Sequence, residues 1–120
     1  MAADAVALDY EAYVESVLRV VESIPVGRVM AYGAIAEVVG TGGPRQVGKV
    51  MSEYGGGVPW WRVVRANGTL PDSHRHRARE RYLAEGTPLV RERIVGDLRI
   101  DMRRAAWEPP ASASSASDGS

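Results

Sequence analysis

Residues 31–54 read Ala31-Tyr32-Gly33-Ala34-Ile35-Ala36-Glu37-Val38-Val39-Gly40-Thr41-Gly42-Gly43-Pro44-Arg45-Gln46-Val47-Gly48-Lys49-Val50-Met51-Ser52-Glu53-Tyr54. Ile35, Val38 and Val39 share one side of a short helix of about two turns that stops at Gly40. Thr41-Gly42-Gly43-Pro44 then supplies a tight turn. Pro44 suits the first position of a second helix running to Tyr54, with Gly55 just past its end. Helix, glycine-bearing turn, helix is the helix-turn-helix layout. Inside the second helix Gly48 costs about 1 kcal/mol against alanine, so it asks for a reason. Close approach to a nucleic-acid backbone is one reason and packing against a neighbouring helix is another, and the glycine alone does not choose between them.

Toward the amino terminus, Tyr10, Tyr13, Val14, Val17, Leu18, Val21 and Ile24 recur at spacings of three and four. This predicts an amphipathic helix over 9–24, capped by Asp9 and stopped by Pro25. Toward the carboxyl terminus, Gly55-Gly56-Gly57 leads into Pro59-Trp60-Trp61-Arg62-Val63-Val64. Residues 62–65 read as a short strand ending at the Asn67-Gly68 turn, which leaves the tryptophan pair on a loop. A helix is predicted over 73–85, with Ala78, Tyr82 and Leu83 inward, arginines outward and Gly86 as its stop. Segments 89–95 and 98–102 read as a hairpin around Gly96-Asp97, and Trp107 closes the ordered part. From Pro109 onward Ala, Ser, Gly and Pro predominate, too little apolar surface to offset the entropy of ordering. The expected organisation is one domain over 1–108 and a disordered tail over 109–120. The expected fold class is mainly α with a small β component, a helix-turn-helix, winged-helix-like DNA-binding domain.

The 120 residues suit a single domain, and they include no cysteine. That removes disulfides, thiolate metal sites and thiol catalysis together. His74 and His76 remain as the conventional nitrogen ligands, so no metal site and no cofactor are expected. No apolar stretch approaches the roughly 20 residues of a membrane span, and a start carrying Asp4 and Asp9 lacks the basic region of a secretory signal. No membrane association is expected, and the protein is predicted to be cytoplasmic. The formal net charge of +0 hides an asymmetry. Asp4, Asp9, Glu11, Glu15 and Glu22 face only Arg19 in residues 1–27, while nine arginines fall between positions 73 and 104. A polyanion partner fits this pattern, although arginine on solvated faces explains the same composition. Arg75, Arg77, Arg79 and Arg81, spaced by two, spread around a helix and add diffuse attraction to phosphates.

Four runs carry a resemblance: Ile24-Pro25-Val26-Gly27-Arg28-Val29, Ala31-Tyr32-Gly33, Arg45-Gln46-Val47-Gly48 and Pro59-Trp60-Trp61-Arg62-Val63. Over about 13–86 the chain resembles the DNA-binding active-site domain of O6-alkylguanine-DNA alkyltransferases, in which the last run reads Pro-Cys-His-Arg-Val with the cysteine as alkyl acceptor. Here Trp60 and Trp61 stand in place of the cysteine and the histidine. An indole has no ionisable nucleophile, so alkyl transfer to this position is excluded. The pattern, with its final Trp107-Glu108-Pro109, is similar to the alkyltransferase-like proteins, which are implied to bind alkylated guanine without repairing it. Gly55-Gly56-Gly57 departs from the more structured turn of the family, and 69–76 diverge too far to align.

That resemblance implies a role for each matching residue. Arg45 would be the intercalating finger, its planar cation stacking in the gap left by the extruded nucleotide. Tyr32, Pro44, Arg45, Gln46, Gly48 and Lys49 would contact DNA, with Gly48 letting the helix fit the minor groove. Tyr32, Trp60, Trp61, Val63 and Met51 would line the lesion pocket, although Val63 and Met51 could equally be core, and for Met51 core is the better reading. Glu85, which in repairing relatives orients the histidine, would pair with an arginine. The implied function is a noncatalytic, nucleoid-associated, monomeric sensor of O6-alkylguanine in duplex DNA that flags the lesion for nucleotide excision repair proteins. Two competitors remain. One is a general helix-turn-helix DNA-binding or regulatory module without lesion selectivity, though Arg45, Gln46 and Lys49 are few base-reading side chains. The other is an enzyme acting through Glu85 or His74, which no carboxylate pair or metal cluster supports.

Overall fold

A computed structural model describes residues 2–70, 72–90 and 98–110, and their side chains apart from those of 2–9, 72, 73 and 75. Helix α1 spans Ala2–Ser23 and ends ahead of Pro25. Asp9 is therefore interior and not the cap that periodicity suggested. Ala2, Ala3, Ala5 and Ala7 have the highest helix propensity and carry the helix back past it. Val14, Val17 and Val21 form its buried stripe, which Ile24 continues just past its end.

Strand β1, Met30–Ala31, leads directly into α2, Tyr32–Val39, and a turn then delivers α3, Pro44–Tyr54. In that turn Gly42 has φ +76°, and a Cβ there would stand 2.5 Å from the Tyr13 hydroxyl oxygen. The helix-turn-helix turn is thus pressed against α1, and only glycine fits. Pro44 opens α3, while the Gln46 side-chain oxygen accepts the Gly43 N–H at 2.9 Å and so supplies half of a capping box. α3 does not stop at a left-handed glycine. Gly55 has φ −77°, and the chain runs on into a 3₁₀ turn, Gly55–Gly57.

A second 3₁₀ turn, Trp60–Arg62, holds the tryptophan pair and feeds β2, Val63–Val64. The two strands pair in parallel, Met30 opposite Val63 and Ala31 opposite Val64. Parallel pairing requires a crossover, which α2 and α3 provide. Met30 and Val63 belong to a core under α1, α2 and α3, whereas Val29 and Val64 belong to a second core with Leu70, Tyr82 and Ile100. The short sheet is the seam between them. Helix α4, Asp72–Glu85, covers the second core with Ala78 and Tyr82, and the chain leaves it at Gly86 with φ +73°. The Asn67-Gly68 turn forms as expected, Gly68 N–H donating to Arg65 O at 2.8 Å.

Three expectations are corrected. Leu83 is 61% exposed, because its neighbour Tyr82 takes the inward direction and successive helical residues diverge by about 100°. Val38 is 47% exposed, since the buried arc of α2 is Ile35 and Ala36 with Val39 packed beside them. A short helix, α5 at Met102–Ala105, occupies the end of the second hairpin segment. Of the described part of that hairpin, Leu89 and Ile100 form an antiparallel bridge and Val90 N–H donates to Arg99 O at 2.9 Å, while 91–97 lie outside the described residues. Its expected turn, and residues 111–120 of the expected tail, lie outside the described residues. Beyond α5, Trp107 N–H donates to Val29 O at 2.8 Å and the ring packs on the first core. The molecule is mostly helical, with one small two-stranded sheet.

Candidate nucleic-acid interface

α3 separates two concavities. Arg45, Gln46 and Lys49 are exposed and line a groove on the α1 side, floored by Tyr10 and Tyr13. Pro44, also exposed, lies on the small-residue surface of the turn with Gly33 and Gly43. Among the described residues Arg45 meets no acidic side chain, and the Lys49 ammonium lies 5.4 Å from the centre of the Tyr10 ring. Tyr10 in turn donates to the Glu53 carboxylate at 2.7 Å. Gln46 is both exposed and occupied with capping its own helix.

On the other side, Gly48 and Met51 of α3 face a cavity of about 510 Å³, closed by Tyr32, Trp60, His74 and Arg77. That volume falls in the range of small-molecule sites, roughly 300–1,000 Å³. A Cβ at Gly48 would meet nothing within 4 Å beyond its own stretch of helix. Helix packing therefore does not explain this glycine, and its bare backbone is left facing open space. Tyr32, the first residue of α2, is half-buried, and burial raises its phenol above the ordinary value while Arg65 opposes the shift. Met51 packs on the first core and also reaches the cavity, so both of its readings describe it.

Of the residues assigned to a pocket, Tyr32, Met51 and Trp60 come together, whereas Trp61 and Val63 do not join them. Val63 is 1% exposed and serves the core beneath the strand. Trp61 turns away and donates its indole N–H to Glu85 Oε2 at 2.8 Å. The same carboxylate accepts Arg62 Nη2 at 2.6 Å and Nε at 3.1 Å, and the Gly27 N–H at 3.1 Å. Burial alone would raise the Glu85 carboxyl, but the bonds from Arg62, Gly27 and Trp61 outweigh it and hold the group below its ordinary 4.5. Glu85 thus pairs with an arginine and keeps a ring N–H from position 61 as well.

His74 and Arg77 were not assigned to the site from the sequence. The His74 ring lies 5.4 Å from the Trp60 ring, and the Arg77 guanidinium lies 5.5 Å from it. One turn on, Arg81 sits 4.5 Å over Trp61. The signal was present in the spacing: positions 74, 77 and 81 are three and four apart and share a helix face. Counting the arginines by twos hid it. Among the described residues no three His, Cys, Asp or Glu side chains gather as metal ligands, and no helix is long and apolar enough to cross a membrane.

Comparison with known proteins agrees with this layout. The family model for the 6-O-methylguanine DNA methyltransferase DNA-binding domain matches residues 12–86. The DNA base-flipping protein of Escherichia coli strain K12 is 35% identical over 104 residues, covering 81% of this chain and 75% of that protein. Alkyltransferase-like protein 1 of Schizosaccharomyces pombe is 31% identical over 93 residues, covering 72% and 85%. A crystal structure of S. pombe Atl1 in complex with damaged DNA containing O6-carboxymethylguanine superposes with a TM-score of 0.71 at 29% identity, covering 82% of this chain and 97% of that one.

Proposed function

This chain belongs to the family of the 6-O-methylguanine DNA methyltransferase DNA-binding domain, on its alkyltransferase-like branch, and on that premise we propose that it is a noncatalytic sensor of O6-alkylguanine in duplex DNA. The observation that carries the proposal is the cavity beside α3, open at Gly48 and lined by Trp60, the residue that by family resemblance takes the place of the acceptor cysteine. In this reading α3 enters the minor groove, Arg45 fills the gap in the base stack, and the alkylated base turns out into the cavity. Tyr32 crowds the rotating nucleotide. Extrusion costs a few kcal/mol, least for a mispaired or damaged base. Stacking on an aromatic ring returns about 1–3 kcal/mol per base, so a Trp60 wall offsets much of that cost.

The chain contains no thiol, and neither indole supplies a nucleophile, so the bound alkyl group stays on the base. A persistent, bent complex is then the signal that excision-repair proteins read, a handover supported by the family resemblance. We place the protein, as a monomer, with the DNA in the cytoplasm.

A duplex carrying 2-aminopurine beside O6-methylguanine tests extrusion and chemistry together. The reading expects the 2-aminopurine emission to rise on binding while the mass of the chain stays constant over long incubation. Unchanged emission, or a chain heavier by one methyl group, contradicts it.

A further inference from the structure

Trp60 lines the cavity, yet among the described residues no hydrogen bond holds its ring. Its plane is bounded by ring contacts: Trp61 perpendicular to it at 5.6 Å and 88°, His74 at 5.4 Å and Arg77 at 5.5 Å. His74 and Arg77 have exposed side chains, whereas Trp61 is half-buried and tied at every end. Its indole N–H is held by Glu85 at 2.8 Å, its carbonyl accepts the Tyr82 hydroxyl at 2.5 Å, and the guanidinium groups of Arg62 and Arg81 lie 5.5 and 4.5 Å from its ring centre. Glu85 is itself fixed, with a side chain only 12% exposed and both oxygens occupied by Arg62, Gly27 and Trp61.

We infer that Glu85 and Trp61 are positioning residues for the Trp60 wall: the carboxylate fixes the Trp61 ring, and that ring, set perpendicular to Trp60, fixes the plane on which an extruded base stacks. Edge-to-face aromatic pairs have a preferred geometry, so orientation passes from one ring to the next. A wall held in place before binding avoids the entropy of ordering it during binding. This inference rests on the reading of the cavity as a lesion site and adds what sets its selectivity.

Two variants of the full chain test it. Trp61→Phe keeps an aromatic ring and deletes the N–H, while the Arg62 bonds to Glu85 and to Ile24 O remain to hold the fold. Trp61→His returns a ring N–H toward the carboxylate. Two readouts are taken: the 19F spectrum of protein labelled with 5-fluorotryptophan, with Trp60 assigned by substitution, and the ratio of affinities for O6-methylguanine and guanine duplexes. Trp61→Phe is expected to broaden or split the Trp60 line and to lower the ratio about tenfold, on the scale of one hydrogen bond to a charged group. Trp61→His is expected to restore both. A lowered melting temperature with line and ratio unchanged makes Trp61 a structural brace only and overturns the inference. If the native chain itself shows no lesion preference, the lesion reading fails, and the Trp60 line alone then decides whether Trp61 positions the wall.

Discussion

Gly48 lies in the middle of α3 with nothing beyond its own stretch of helix within 4 Å of where a Cβ would stand. Its helical cost therefore has no offset in side-chain packing of the free molecule, and in the proposed function the offset lies in the complex with DNA. Gly48→Ala is expected to raise stability by about 0.5–1 kcal/mol in urea melts and to weaken duplex binding in the same preparation. A stabilised variant with undiminished affinity would detach Gly48 from the DNA face. Position 60 carries a second expectation. Trp60→Cys alone restores a thiol without a base and is expected to accept a methyl group poorly. Adding Trp61→His, beside a Glu85 that already accepts a ring N–H from that position, is expected to raise the rate, as single-turnover mass spectrometry would read. Equal rates for the single and double variants would show that the imidazole adds nothing.

α4 ends in the residue that ties it to the loop before β1, since Glu85 accepts the Gly27 N–H at 3.1 Å as well as the Arg62 pair. Its carboxyl is held below the ordinary 4.5, so the folded state favours the charged form. The stability this confers is complete above the ordinary value and is lost as the pH falls through the depressed one. Glu85→Gln should therefore lower the melting temperature at neutral pH, and the gap from the native chain should close on acidification below about 4.5. A gap that persists unchanged into acid would mean that the charge of Glu85 contributes nothing. The elements themselves were legible where periodicity or turn chemistry was strong: the α1 stripe from Val14 to Ile24, Pro44 opening α3, and the Asn67-Gly68 turn. What escaped was set by tertiary packing. Leu83 and Tyr82 are adjacent apolar residues, and only the core beneath α4 decides which one turns inward. Trp60, Trp61 and Val63 belong to one motif, but only Trp60 lines the cavity: the parallel pairing with Met30 draws Val63 into the core and Glu85 draws Trp61 away. His74 and Arg77 entered the cavity through a helix face that the sequence displayed and that the two-residue spacing of the arginines obscured.

Across the whole molecule, a net charge of +0 leaves little long-range attraction for DNA. Glu11, Glu15 and Glu22 are exposed on α1, while Arg45 and Lys49 are exposed on α3 and Arg77 and Arg81 on α4. Affinity in this account comes from a few placed cations and one cavity. Lys49→Ala should therefore flatten the dependence of log K on log salt by about 0.9, one phosphate contact, without changing lesion preference. A slope unchanged by the substitution would move Lys49 off the phosphate track. The most direct test of the central claim is titration of fluorescent duplexes carrying one guanine or one O6-methylguanine, at fixed salt, followed by product analysis of the bound DNA. Tighter binding of the lesion duplex with its methyl group intact is the predicted result; equal binding of the two duplexes, or loss of the methyl group, would contradict it.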